Sequence, residues 1–163
     1  MSTHNRWVVQ VPRLWRIFCL KGKKKKGAKD QRRPNQQQQQ QQQRTFQEML
    51  ENLFRPMFEA TLYPEQNPEV SELLTHIVAL DSVDDEGTAE APCGCSRPSD
   101  YTDERNPAYS WQLYYLWANL EVLNGLREVR GLNSISFRPH AGETGDVMHL
   151  AAAYMLCKSI NHG

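Results

Sequence analysis

A strand, a helix and the start of a second strand follow one another from Ile135 onwards, and this order constrains the fold more than any other feature. Residues 135–137 alternate apolar and polar side chains before Pro139, which predicts a short strand that ends there. Residues 147–159 carry apolar side chains at helical spacing, and Ile160 begins another strand. Helices join parallel strands in this way, so the pattern predicts an α/β fold with a parallel sheet.

Two histidines and a glutamate follow these two strands closely. His140 and Glu143 come after the first strand, and His162 comes after the start of the second. Active sites of α/β barrels and doubly wound sheets lie at the carboxyl ends of the strands. Gly142 lets the backbone turn sharply, so His140 and Glu143 can face one cavity. The three side chains are candidates for a metal ligand, a proton donor and a base, and hydrogen-bonded structural residues are the alternative interpretation.

Further strands and helices are predicted upstream of this unit. Residues 7–11 and 77–80 have the composition of strands. A capping-box pattern begins a predicted helix at 45–60, which we expect to pack on the sheet. Residues 109–129 carry a broad leucine stripe, and their aromatic side chains are interpreted as core rather than as a cofactor site. The strand candidates amount to about half of an eight-stranded (β/α)8 barrel.

Lysines, arginines and glutamines dominate the segment 21–44. Its lysines at 23–26 and its glutamines at 36–43 cannot bury an apolar core, which predicts a disordered insert. A nuclear-localisation signal or an RNA-binding patch is the alternative, but no aromatic residue interleaves the basic ones, so nucleic acid is not an expected partner. We therefore divide the chain into a barrel strand segment (1–20), the insert (21–44) and a partial barrel domain (45–163).

Net charge, cysteine usage and hydropathy bear on the partners and the compartment expected for this chain. Lysine plus arginine and aspartate plus glutamate each number 19, so the formal net charge of zero names no partner. Cys19 and Cys157 stand among apolar residues and are interpreted as small hydrophobic side chains, which indicates a reducing compartment. No apolar run is long enough to cross a bilayer, and the start lacks a signal-peptide pattern, so no membrane association is expected.

Several motifs together resemble the AMP deaminase family. Phe-Arg-Pro-His-Ala-Gly-Glu at 137–143, a helix, and Ile-Asn-His-Gly at 160–163 carry the closest likeness. Similar segments occur in the family's order at 6–14, 46–61, 81–86 and 106–115. The likeness covers nearly the whole chain except 21–44 and 88–104, and it separates this family from plain adenosine deaminases.

The resemblance implies a zinc-dependent (β/α)8 barrel that hydrolyses AMP to IMP and ammonia. It implies that His140 is a zinc ligand, that Glu143 contacts the purine and protonates its ring nitrogen, and that His162 is the base for the metal-bound water. Zinc lowers the pKa of bound water to about 7, and a histidine with a pKa near 6.5 can take up its proton. A cytosolic homo-oligomer is also implied for the full-length family.

The chain departs from the family pattern in ways that bear on activity. The family takes further zinc ligands from a His-x-His pair and from a Ser-Thr-Asp-Asp segment, and this sequence contains neither. A catalytic zinc normally has three protein ligands, so we expect an internal or truncated piece of the enzyme that is inactive alone. The alternatives are a non-enzymatic interaction or regulatory piece and an incomplete gene model.

Two other interpretations of the polar residues were weighed against this one. Residues 81–86 form an acidic cluster, but in the resembling superfamily this strand end gives the purine a backbone donor, usually from a glycine where this chain has Asp84. The cytidine deaminase fold uses His-x-Glu with Pro-Cys-x-x-Cys. Here Glu143 stands one residue too far from His140, and the Pro92-Cys93-Gly94-Cys95 segment is one residue short.

Overall fold

The computed structural model describes residues 5–20, 44–92 and 97–162. In chain order the elements are β1 (Trp7–Pro12), α1 (Trp15–Leu20), α2 (Phe46–Leu62), α3 (Pro68–His76), β2 (Ile77–Val83), β3 (Glu90–Ala91), β4 (Asn106–Pro107), α4 (Tyr109–Val129), β5 (Ser136–Phe137) and α5 (Met148–Leu156). A short 3-10 turn, Pro64–Gln66, precedes α3. The predicted mixed α/β class is confirmed.

Three parallel strands form the main sheet in the order β1-β2-β5. Along β1 and β2, Val8 pairs with Ala79 and Pro12 with Val83, after an irregularity between Trp7 and Val8. The central strand β2 is buried along most of its length, as expected for a parallel strand covered on both faces. β3 and β4 pair in a separate two-stranded parallel sheet, which the sequence argument did not predict.

The backbone beyond β5 differs from the strand predicted at Ile160. No strand is assigned there within the described residues, which end at 162. Two backbone hydrogen bonds nevertheless join this segment to the end of β5, from Asn161 N to Pro139 O (3.0 Å) and from Ala141 N to His162 O (2.9 Å). His162 is therefore fixed to the edge of the sheet by its own carbonyl.

Helix α2 begins where the sequence predicts, because the capping box at Thr45 is formed. Glu48 N donates to Thr45 Oγ1 (3.3 Å), and Thr45 N donates to Glu48 Oε2 (2.8 Å). The main partners of α2 are α3 and α4, whereas the sequence argument placed it on the sheet. Its apolar side meets other helices because α4 supplies the leucines that cover it, with Leu113, Leu116, Leu120 and Leu123 all buried.

Two helices were missed from the sequence. α1 occupies the end of the predicted strand segment 1–20, and it forms because Trp15 packs into the aromatic core at 1 % exposure. α3 starts at Pro68, a residue that suits the first helical turn. The predicted helix 147–159 is shorter at both ends, since α5 covers Met148–Leu156. No helix among the described ranges is long and apolar enough to cross a membrane.

The two sides of the predicted insert lie close together in space. Trp15 packs on Phe46, with ring centroids 5.5 Å apart. The guanidinium of Arg44 lies 5.0 Å from the Phe18 ring centroid. Residues 21–43 themselves lie outside the described residues, so the predicted disorder of the insert stays a prediction.

Candidate functional site

An open cavity lies at the carboxyl ends of the main strands. Its volume is about 530 Å³, and it is lined by Val8, Gln10, Asp81, His140, Asn161 and His162. The ladder between β2 and β5 extends to this edge, because Arg138 N donates to Leu80 O (2.8 Å) and His140 N donates to Ser82 O (3.1 Å). His140 is thus held by its backbone at the end of the sheet.

The structure brings His140, Glu143 and His162 together, with His140 and His162 lining this cavity and Glu143 lying beside His162. The two imidazole rings stack with centroids 4.9 Å apart and an angle of 14° between their planes. His162 Nδ1 lies 3.9 Å from Glu143 Oε1, and the two side chains are 69 % and 43 % exposed. This arrangement places an imidazole and a carboxyl group where both can reach one molecule in the cavity. Their catalytic roles stay a prediction.

Asp81 orients the His140 ring from below. Its side chain is 2 % exposed, and His140 Nδ1 donates to its Oδ1 at 2.9 Å when that nitrogen carries the proton. The other carboxylate oxygen lies 3.4 Å from Gln10 Nε2. A carboxylate that accepts from one ring nitrogen fixes the tautomer, so the lone pair of Nε2 is left for a metal.

The donor set fits one zinc ligand but not a complete zinc site. His140 has the carboxylate support that metal-ligating histidines usually have. Among residues 5–20, 44–92 and 97–162, however, no group of three or more His, Cys, Asp or Glu could hold a metal ion. A catalytic zinc at His140 would therefore need ligands from outside the described chain.

Glu86 supports the turn that carries Glu143, and the sequence argument missed it. Its carboxylate is 1 % exposed and accepts from Gly142 N (3.0 Å), Glu143 N (3.3 Å) and His149 Nδ1 (2.9 Å). Burial by itself raises the pKa of Glu86, but the bonds from Gly142, His149 and Glu143 outweigh it and hold the pKa below its usual value. The carboxylate is therefore charged in the folded state at neutral pH.

Further polar residues pack around Glu86 and connect it to neighbouring elements. His149 stacks on Tyr109 with ring centroids 4.4 Å apart. Tyr109 Oη donates to the His140 carbonyl oxygen at 2.6 Å, and burial raises the pKa of this hydroxyl, which keeps it a donor. Glu90 accepts from Tyr109 N at 2.9 Å and forms a short ion pair with Arg13. The loop after β5 is thus braced from several elements.

Asp84 is hydrogen-bonded to another side chain and does not line the cavity beside His140. Its Oδ2 accepts from Asn106 Nδ2 at 2.8 Å, and the same amide donates to Arg13 O at 2.7 Å. Asp84 also lines a second cavity of about 460 Å³ beside Arg13 and Arg16. The contact with the purine that the resemblance implies for this strand end stays a prediction.

The sequence does contain a signal that could have identified Asp81 and Glu86. Acidic residues directly after or within an otherwise buried strand need partners, and the histidines further along the chain are the natural ones. His149 and Tyr109 gave no such signal, because an aromatic side chain on a predicted helix is usually core. Cys157 is half-buried, and burial raises its pKa to about 12, so the thiol is protonated at neutral pH.

This chain is similar in sequence to known proteins along its length. The family model described as AMP deaminase matches residues 1–163. The chain is 40 % identical over 160 residues to AMP deaminase 1 of Homo sapiens, covering 96 % of this chain. It is 40 % identical over 159 residues to AMP deaminase of Arabidopsis thaliana, covering 96 % of this chain, and 38 % identical over 168 residues to AMP deaminase of Dictyostelium discoideum, covering 99 %.

The matched region is a small part of each relative. It spans 19 % of the human protein, 17 % of the Arabidopsis protein and 18 % of the Dictyostelium protein. The likeness nevertheless runs along the whole of this sequence, including the segment that positions His140, Glu143 and His162. The chain belongs to the AMP deaminase family.

Proposed function

We propose that this chain forms part of the active site of a hydrolytic AMP deaminase, which converts AMP to IMP and ammonia. The observation that carries the proposal is that His140 and His162 stack at one cavity with Glu143 beside His162, in a chain that matches the family from end to end. The parallel strands β1, β2 and β5 would then belong to a (β/α)8 barrel, whose active site lies at the carboxyl ends of its strands.

Each of the three side chains has a position that suits a distinct role. Asp81 leaves His140 Nε2 for zinc, which when bound would lower the pKa of a water to about 7. Glu143 is exposed enough to reach a purine and donate a proton to its ring nitrogen. His162 lies against the His140 ring, where it can accept a proton from the attacking water. The remaining zinc ligands would come from outside the described chain.

The test uses the longer AMP deaminase that contains this segment. Glu143→Gln should keep the bound zinc and lower AMP turnover by about 10²- to 10⁴-fold, because the amide has the same shape but cannot deliver the proton. His140→Ala should lose zinc as well as turnover. Ammonia release and elemental zinc content are measured for both, with Glu121→Gln on the exposed side of α4 as the matched control.

Two outcomes would contradict the proposal. Normal turnover by the Glu143→Gln enzyme would remove Glu143 from the chemistry, and full zinc content in His140→Ala would remove His140 from the metal site. The 163-residue chain by itself should release no ammonia from AMP even with zinc supplied, because the described residues hold too few ligands. A cytosolic location and a homo-oligomeric state stay predictions from the family resemblance.

A further inference from the structure

Glu86 is a buried carboxylate that does not line the cavity. It nevertheless binds the backbone of the turn that carries Glu143. We propose that Glu86 is a positioning residue for Glu143, which fixes the peptides at 142 and 143 so that the Glu143 side chain stays beside His162. This inference rests on the proposed function. It adds to that function a residue that reaches the reaction through the backbone of Glu143.

The three hydrogen bonds to Glu86 need a carboxylate. Oε2 accepts from Gly142 N and His149 Nδ1, and Oε1 accepts from Glu143 N. Both oxygens are thus acceptors, and the backbone donors cannot change character. A glutamine has only one acceptor oxygen, so its NH2 group must face an N–H donor whichever way the amide is turned. An isosteric change therefore breaks at least one of the contacts that hold the turn.

The same turn makes a second contact with residue 86, in which the backbone at Gly145 packs against the backbone of Glu86. Gly145 has φ +81°, and a Cβ built on it would lie 2.3 Å from the Glu86 carbonyl oxygen. Only glycine allows this close approach. The turn is therefore held to residue 86 at two separate points, by the side chain at Gly142 and Glu143 and by the backbone at Gly145.

Glu143 itself depends on this support because its own side chain is loosely held. It is 43 % exposed, and its contact with His162 is 3.9 Å long. Glu86 by contrast is 1 % exposed. A displacement of a reacting group by about 1 Å lowers the reaction rate on the order of 10²-fold. The direction of Glu143 is thus set mainly by the peptide that Glu86 holds.

The first measurement needs no activity. Amide hydrogen exchange of Gly142 and Glu143 is followed by NMR in the 163-residue chain, in wild type, Glu86→Gln and Asp85→Asn. In Glu86→Gln, exchange should rise at least about tenfold at whichever of the two amides faces the glutamine NH2 group, since each net hydrogen bond to a charged group is worth on the order of a factor of ten. Asp85→Asn is the neighbouring control, because an asparagine oxygen can still accept from Gly87 N as Asp85 does.

The second measurement asks whether Glu86 acts through Glu143. In the longer enzyme, Glu86→Gln should lower kcat by about 10- to 100-fold, as losses of supporting hydrogen bonds commonly do, while zinc content and the KM for AMP stay close to wild type. In a Glu143→Gln background the same substitution should have little further effect, because the group it positions is already disabled. Gly145→Ala, which pushes the turn off residue 86, should give the same pattern.

The outcomes separate the two proposals. A longer enzyme with no AMP turnover overturns the proposed function, while the exchange rates still decide whether Glu86 holds the turn. Unchanged exchange at Gly142 and Glu143 in Glu86→Gln overturns the positioning role. So does a kcat loss that multiplies fully with that of Glu143→Gln, or a loss of zinc. If Glu86→Gln does not fold, Gly145→Ala takes its place in both measurements, with the same outcomes counting for and against.

Discussion

Two buried charged residues, Glu86 and Arg127, hold opposite ends of the main sheet. Glu86 lies at the carboxyl ends of the strands and binds the turn that carries Glu143. Arg127 lies near the amino ends and donates to Asn133 O and Asn133 Oδ1, both at 2.8 Å, and to Thr61 Oγ1 at 3.2 Å. Both charged groups are satisfied by hydrogen bonds, so burial is tolerated at each end for the same reason.

The two ends of the sheet differ in what the hydrogen-bond partners of the buried charge belong to. The Arg127 cluster connects α4 to the end of α3 and the start of β2, because Asn133 Nδ2 donates to Leu74 O (3.2 Å) and Ile77 O (3.1 Å). These contacts join structural elements. The Glu86 cluster supports a turn with an exposed carboxyl group and a neighbouring imidazole. α/β barrels, the fold proposed for this chain, divide stability and chemistry between their two faces in this way.

The largest effect is expected at the Arg127 end. Arg127→Met keeps the aliphatic stem but removes the donor of three hydrogen bonds, two to oxygens of Asn133 and one to the buried Thr61 hydroxyl, at about 1 kcal/mol each. The free energy of unfolding should fall by about 3 kcal/mol, measured by urea denaturation of the chain. Arg130→Met is the matched control, since Arg130 is exposed and donates to Leu62 O, and it should change stability by less than about 0.5 kcal/mol. Equal losses in both variants would contradict the comparison.

A smaller, pH-dependent effect is expected at the Glu86 end. The pKa of Glu86 in the folded state is below its unfolded value of about 4.3, so its ionisation stabilises the fold above that pH and this contribution is lost as pH falls through the folded-state value. The stability difference between wild type and Glu86→Gln should be about 1–2 kcal/mol at pH 5 and should shrink towards pH 3. Urea denaturation at both pH values measures it, with exposed Glu121→Gln as control. A difference that grows on acidification would contradict the assigned direction.

The smallest effect is expected from removing the predicted insert. Arg44 lies on Phe18 and Phe46 on Trp15, so a short linker of about four glycines could replace residues 21–43. A shorter loop costs less closure entropy, about 0.6 kcal/mol for each halving, so stability should stay the same or rise by about 1 kcal/mol. Thermal unfolding of the shortened chain measures this. A cooperative loss of folding would show that the insert contributes contacts of its own.

Local patterns predicted the elements whose signals are internal to the segment. The capping box at Thr45 and the leucine stripe of α4 placed those helices correctly, because spacing along one helix is a property of the sequence itself. α1 was missed since it is short and its buried tryptophan is satisfied by residues far along the chain, among them Phe46 and Tyr101. The segment at Ile160 forms only two ladder bonds, and no local pattern sets how far a ladder extends.

The sequence by itself determined the α/β class, the family and the three residues that meet at the cavity, because motif order and strand-end position are written in the order of residues. Tertiary structure alone decided how those residues are held. Asp81 supports His140 from 59 positions away, and Glu86 supports Gly142 from 56 positions away. Hydrogen bonds of such sequence separation depend on the register of parallel strands, and that register exists only once the sheet has formed.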